Sequence, residues 1–222
     1  MRYFPLLASL VAGLVVFSAP PSQGQAAGPA GPVSKPVSAS LSAADRETVQ
    51  RLETYLNNIK TMQADFQQVA STGQSAKGIF YLSRPGKLRV QYTEPEPAFL
   101  LANQSLLVYV DEKLGQESYV PTGSTPVSFL LADTISLDGD VRIERLRAKD
   151  NVIRVALVQR DDPDAGTLTL VFTDLPLELR QWTVTDPQDV QTTIALNNTS
   201  YGRKLDPALF DYQQKPVQSP RN

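Results

Sequence analysis

Val49, Leu52, Leu56 and Ile59 recur at spacings of three, four and three, while Arg46, Glu47, Gln50, Arg51 and Glu53 fall largely elsewhere. That is the period of a helix with one apolar face. It predicts a helix over 42–60. Ser42, with Asp45 three residues on, is a capping-box-like pair at its start. After Asn57-Asn58 the period drops to two. Met62, Ala64 and Phe66 alternate with Gln63, Asp65 and Gln67, a strand with one dry and one wet face.

Hairpin signals follow one another from there. Pro85-Gly86 separates strands predicted at 78–83 and 88–93, and Asn103-Gln104 separates 99–102 from 106–111. A short strand is predicted at 116–120. Thr125-Pro126 places a cap and a first-turn proline before Val127, Phe129, Leu130 and Leu131. This apolar helix is too short to stand alone and must lie on something. Further strands are predicted at 141–148, 152–160, 167–173, 177–186 and 190–201, with Asp150-Asn151 and Asp186-Pro187-Gln188-Asp189 as turns. Strands at hairpin distances point to an antiparallel meander curved into a barrel or half-barrel, with one or more helices: a mainly β, α+β fold. Seventeen prolines and twelve glycines suit that turn-rich reading.

Two strands alternate cleanly: Leu88, Val90 and Tyr92 against Arg89, Gln91 and Thr93, and Leu168, Leu170 and Phe172 against threonines. Ile79-Phe80-Tyr81-Leu82 does not, being apolar or aromatic on both faces, with Arg84 at the lip of its turn. One sheet face is therefore continuously apolar, and the two helices are too small to cover it. Either the barrel fills its own interior or an apolar hollow remains.

Composition narrows the chemistry. The chain has 222 residues, enough for one substantial domain. A net charge of -2 and the lack of a long basic run argue against a nucleic-acid partner. There is no Cys and no His. That excludes a disulfide, a thiolate, the histidine-dependent nucleophile systems and His/Cys zinc sites. A Ser-Lys pair or a pair of carboxylates remains open. Asp161-Asp162-Pro163-Asp164 reads as a solvated turn rather than a Ca²⁺ site. Asn103-Gln104-Ser105 and Asn197-Asn198-Thr199 match glycosylation acceptors, which carry no meaning in a bacterial host. Arg142, Arg145, Arg147 and Lys149 read as an exposed basic strand face, with a partner or headgroup contact as the other reading.

Arg2 followed by the apolar run 6–17 and the small residues Gly24-Gln25-Ala26 reads as a secretion signal over 1–26, cleaved near Ala26 or Ala27. The run is too short for a comfortable membrane span. No Cys follows it, as a lipoprotein signal would require. Residues 27–40, rich in Ala, Gly, Pro and Ser, read as a disordered linker, 41–213 as the folded domain and 214–222 as a flexible tail.

Six segments in order resemble the bacterial outer-membrane lipoprotein carrier proteins of the LolA type. They are Met62-Gln63-Ala64-Asp65-Phe66-Gln67-Gln68, the block from Gly78 to Tyr92, Leu107-Val108-Tyr109-Val110-Asp111 with Leu114 and Gln116, Thr125-Pro126 with Phe129-Leu130-Leu131, the block from Leu179 to Asp186, and Leu205-Asp206-Pro207-Ala208-Leu209-Phe210. The family often shows Gly and Trp where this chain has Asn103-Gln104-Ser105-Leu106-Leu107, without Trp.

The resemblance implies an incomplete antiparallel barrel of about eleven strands, closed by an N-terminal helix and a short helical lid around an apolar cavity. It implies a periplasmic, monomeric, cofactor-free carrier that is not an enzyme. Its cargo would be triacylated lipoproteins released by an inner-membrane ABC transporter and handed to an outer-membrane acceptor lipoprotein. Arg84 matches the family arginine that latches the lid. The cavity and lid residues expected are Phe66, Phe80, Leu82, Leu88, Val90, Tyr92, Leu101, Phe129 and Leu130, with the inward face of each strand uncertain by one residue. Two other readings stay open: a same-fold module binding another lipid or an apolar peptide signal in envelope stress sensing, and a hydrolase built on converging carboxylates.

Overall fold

Helix α1, Ala43–Asn58, begins as its sequence dictates. Ser42 Oγ accepts from the Asp45 backbone N–H at 3.1 Å, and Asp45 Oδ2 accepts from the Ser42 backbone N–H at 3.0 Å. This reciprocal pairing satisfies two N-terminal donors at once. Val49, Leu52 and Leu56 are buried along its inner face. The structure is a computed structural model, and it describes residues 41–103, 105–122 and 127–212. The signal, linker and tail expected at 1–26, 27–40 and 214–222, together with Gln104 and the Thr125-Pro126 cap, lie outside the described residues.

Eleven strands follow: β1 Thr61–Ala70, β2 Ser75–Ser83, β3 Lys87–Glu94, β4 Ala98–Asn103, β5 Leu106–Asp111, β6 Gln116–Pro121, β7 Val141–Lys149, β8 Val152–Gln159, β9 Thr167–Thr173, β10 Glu178–Thr185 and β11 Gln191–Tyr201. Helix α2, Val127–Leu131, sits between β6 and β7. Every strand pairing is antiparallel, in the order β6-β5-β4-β3-β2-β1-β11-β10-β9-β8-β7. The sheet is open, an incomplete barrel with β6 and β7 as its edges.

The meander is interrupted at one place. β6 and β7 are consecutive in sequence yet lie at opposite edges, while β1 and β11 pair at the centre. The connection between β6 and β7 is long and apolar. Its Leu130, Leu131, Ile135 and Leu137 are buried against the same core as α1. A segment that must hide this much apolar surface packs across the inner face of the sheet instead of forming a tight hairpin.

Side-chain alternation sorts the strands into two cores. The inner one collects Phe66, Phe80, Leu82, Leu88, Val90, Leu100, Leu170, Phe172 and Trp182 beneath α1 and α2. The outer one joins Phe99, Leu101, Val108 and Val110 to Phe210, which comes from a short 3₁₀ turn at Pro207–Phe210. Tyr81 packs on this outer cluster. The double greasiness of β2 is thus explained: Phe80 and Leu82 face in, and Tyr81 faces the C-terminal strap.

Leu101 is a correction. It was expected in the cavity, and it lies in the outer cluster. In β4 five consecutive residues are buried, so both faces are dry and alternation alone does not say which is inner. Leu100 takes the inward position.

Candidate functional site

At the centre of the inner core lies a hollow lined by Phe66, Gln68, Phe80, Leu88, Val90, Leu130, Leu168, Trp182, Val184 and Ile194. These positions come from β1, β2, β3, α2, β9, β10 and β11, so the wall is assembled from both halves of the chain. The free space is about 30 Å³. A single water needs ~10–15 Å³ of such space, so this hollow has room for about two. Phe80 meets Trp182 at 5.5 Å between ring centroids, and Phe66 meets Tyr92 at 5.3 Å, both edge to face.

Of the expected cavity residues, Phe66, Phe80, Leu88, Val90 and Leu130 line the hollow. Leu82 is buried in the same core, and Tyr92 and Phe129 pack against it half-buried. The remaining wall residues were not anticipated. Leu168 stood in a strand already read as alternating, and Trp182 in a recognised block, but no local signal brings β9–β11 opposite β1–β3. Gln68 was given no face, since the alternation was followed only as far as Gln67. The alternation continues to Gln68, which is 3 % exposed.

The segment around α2 is held by hydrogen bonds more than by its own length. Arg84 follows directly on β2 and is 8 % exposed. Its Nη1 donates to the carbonyls of Leu56 at 2.7 Å and Ile59 at 3.2 Å, in and just past the last turn of α1. Its Nε donates to Ala132 O at 2.8 Å and its Nη2 to Asp133 O at 2.9 Å, in the segment after α2. One planar fork thus ties the end of α1 to the segment after α2. Burial lowers the guanidinium pKa from its ordinary value, and the nearby Asp133 opposes that shift. The group stays charged at any physiological pH.

Two neighbours on α1 add to these bonds. Asn57 accepts from the Ile135 N–H and donates to the Ile135 carbonyl, both at 2.8 Å. Glu53 Oε1 accepts from the Leu137 N–H at 2.7 Å. On the β2–β3 turn, the Gly86 N–H donates to Leu131 O at 3.0 Å. Residues 131–137 are therefore stapled to α1 and to the turn through backbone groups, while Leu131, Ile135 and Leu137 are buried in the core beneath.

Among the described residues that line the hollow none is a carboxylate, so the converging acids of a hydrolase are not found there. The basic residues of β7 lie away from it. Arg145 and Arg147 are exposed, and Arg147 stands opposite Arg154 of β8. Among the described residues no helix is long and apolar enough to cross a membrane.

The family model for outer membrane lipoprotein carrier protein LolA matches residues 57–213. An outer-membrane lipoprotein carrier protein of Methylococcus capsulatus is 28% identical over 184 residues, covering 77% of this chain and 86% of its own. One from Chromobacterium violaceum is 26% identical over 185 residues, covering 79% and 88%. Among solved structures, a LolA superfamily protein from Nitrosomonas europaea has a TM-score of 0.42 at 10% identity, covering 74% of this chain and 97% of its own. The family match spans the hollow, the latch and all eleven strands. This chain belongs to the LolA family of outer membrane lipoprotein carrier proteins.

Proposed function

We propose that the protein is a periplasmic carrier that takes the acyl chains of lipoproteins leaving the inner membrane and delivers them to the outer membrane. The observation that carries this reading is an apolar hollow beside which one buried arginine ties the end of α1 to the segment after α2; we read that segment as a lid and Arg84 as its latch. Each acyl methylene kept from water is worth about 0.8 kcal/mol, so three long chains amount to tens of kcal/mol. Cargo of that kind does not cross water unaided. The carrier must hide the chains and still let them go.

The hollow, at about 30 Å³, has nowhere near the room for such chains. Loading requires α2 and the residues after it to lift, which breaks the Arg84 bonds and exposes the apolar wall to the incoming chains. Burial of the chains offsets that cost, and release reverses it at a better acceptor. No chemical step is needed. Residues 1–26 would act as a cleaved export signal and 27–40 as a tether-like linker. An inner-membrane ABC transporter would load the carrier, an outer-membrane acceptor lipoprotein would unload it, and it would travel as a monomer.

Transfer tests the reading. Mature protein is mixed with inner-membrane vesicles and ATP, and the soluble fraction is probed for lipoprotein. Lipoprotein should appear there in complex with the protein. If none is released, or if gently purified protein carries only free lipid by mass spectrometry, the carrier reading is overturned.

A further inference from the structure

Two side chains in the wall of the hollow carry polar hydrogens, the Gln68 amide and the Trp182 indole. Gln68 comes from β1, where it pairs with Ile194 of β11 and Ala76 of β2. The Tyr92 hydroxyl donates to its Oε1 at 3.3 Å. The amide nitrogen has no acceptor among the described residues. Turning the amide over would let its nitrogen donate to Tyr92 and free the phenol proton instead. In either orientation the pair keeps an unused donor, because an amide and a phenol together carry three polar hydrogens and use one between them. Burial pushes the Tyr92 phenol up from its ordinary value, so that proton stays on at neutral pH.

The Gln68 nitrogen is not among the fully buried side-chain polar atoms that lack a partner, so its spare donor faces the free space of the hollow, where a polar partner can reach it. Its position suggests what that partner is. Helix α1 seals one end of the sheet, where the Tyr55 ring meets Phe172 at 6.0 Å and the Tyr55 hydroxyl meets that of Tyr201 at 2.8 Å. Gln68 lies toward the other end of β1, where Tyr92 and Val184 are only half-buried. A chain entering tail-first from there places its methylenes among Phe66, Phe80, Trp182 and Leu130. The polar root of that chain comes to rest level with Gln68.

We infer that Gln68 selects an acyl linkage, its spare donor pairing with the ester or amide carbonyl at the root of a bound chain. The inference rests on the carrier reading and sharpens it. The site takes acyl chains in preference to plain alkyl or ether chains of equal length. A carbonyl satisfies the donor, whereas an ether-linked chain lacks that oxygen and leaves the donor dry.

The test compares 1-palmitoylglycerol with 1-O-hexadecylglycerol, which share chain length and headgroup and differ by one carbonyl. Trp182 is the sole tryptophan and lines the hollow, so its emission reports occupancy. The wild-type chain should bind the ester about fivefold more tightly, the worth of one neutral hydrogen bond. In Gln68→Leu the preference should vanish, with the ether bound at least as well as before. With an isotope-labelled ester, the bound carbonyl stretch should fall in frequency in the wild type and return in the variant, a change that a merely structural role would not produce. Gln68→Met, unbranched like glutamine, repeats the comparison should the leucine variant not fold. Equal binding of the two lipids by the wild type, or a preference that survives in the variant, overturns the role of Gln68 and leaves the carrier reading standing. If neither lipid changes Trp182 emission, both readings fall together.

Discussion

Arg84 and Leu56 meet at the closed end of the sheet, where the Arg84 guanidinium donates to the Leu56 carbonyl at 2.7 Å in the last turn of α1. The carbonyls at a helix C-terminus are short of partners; Leu56 O accepts the Ile59 N–H at 3.2 Å, and a side chain from the β2–β3 turn adds a second donor. The same side chain holds Ala132 and Asp133 beyond the lid. Helix end and lid therefore share one partner, and losing it loosens both.

Arg84→Leu should lower stability by about 2–4 kcal/mol, since hydrogen bonds to a charged group contribute about 1.5–3 kcal/mol and several buried carbonyls lose theirs together. Amide exchange in residues 131–137 should quicken more than in β1 or β11. Arg84→Lys should recover only part of the protection, because an ammonium lacks the planar fork. Unchanged exchange over 131–137 in the leucine variant removes the latch.

Phe80→Ala should cost about 3–5 kcal/mol, in the range of other large-to-small core changes. Phe80 also faces the ring of Trp182 at 5.5 Å. The variant should shift tryptophan emission to the red as water or a neighbouring side chain enters the enlarged hollow. Emission identical to the wild type would mean that the two rings do not share a wall in solution.

Gly78→Ala should be among the most damaging single-methyl additions in the chain. A Cβ at this position would run into the Gln91 carbonyl oxygen and lie 3.0 Å from the Phe66 ring. Gly78 sits where the β2–β3 register shifts, so the bulge brings one backbone hard against the other. The strands must part or Phe66 must move, at about 3 kcal/mol or more by comparison with other overpacked cores. A denaturant midpoint close to the wild type would contradict that close approach.

The capping box should confer a pH dependence of known sign. The Ser42 side-chain hydrogen bond, and then its backbone N–H, hold the Asp45 carboxyl below its ordinary value of 3.8. A carboxyl depressed in the folded state stabilises above its unfolded pKa, and that contribution is lost as pH falls through the folded one. Asp45→Asn should thus be less stable than the wild type at neutral pH. The gap should close as the pH drops below the ordinary carboxylate range. A gap constant with pH would place the effect elsewhere than on the charge.

Much of this protein was legible in its pattern. The three-and-four spacing of Val49, Leu52, Leu56 and Ile59 fixes the buried face of α1, and the Ser42–Asp45 pair fixes its start, because both depend only on local geometry. Each hairpin likewise follows from alternation and turn residues a few positions apart. The family blocks added eleven strands and an apolar interior.

What local pattern leaves open is anything that depends on residues distant in sequence. Leu100 and Leu101 are equally apolar, and only the Phe210 turn on one side and α1 with α2 on the other decide which points where. β1 pairs with β11 across most of the domain, and that pairing alone brings Trp182, Val184 and Ile194 opposite Phe66, Phe80 and Val90. Gln68 is polar in the sequence and buried in the fold, because strand alternation carries it inward whatever its chemistry. The sequence by itself determined the elements and the apolar character of their inner faces, since those come from short-range periodicity. The tertiary structure alone decided how little space the hollow keeps, which residues wall it and which carbonyls Arg84 bonds, since burial and buried hydrogen bonds are settled only when distant segments pack together.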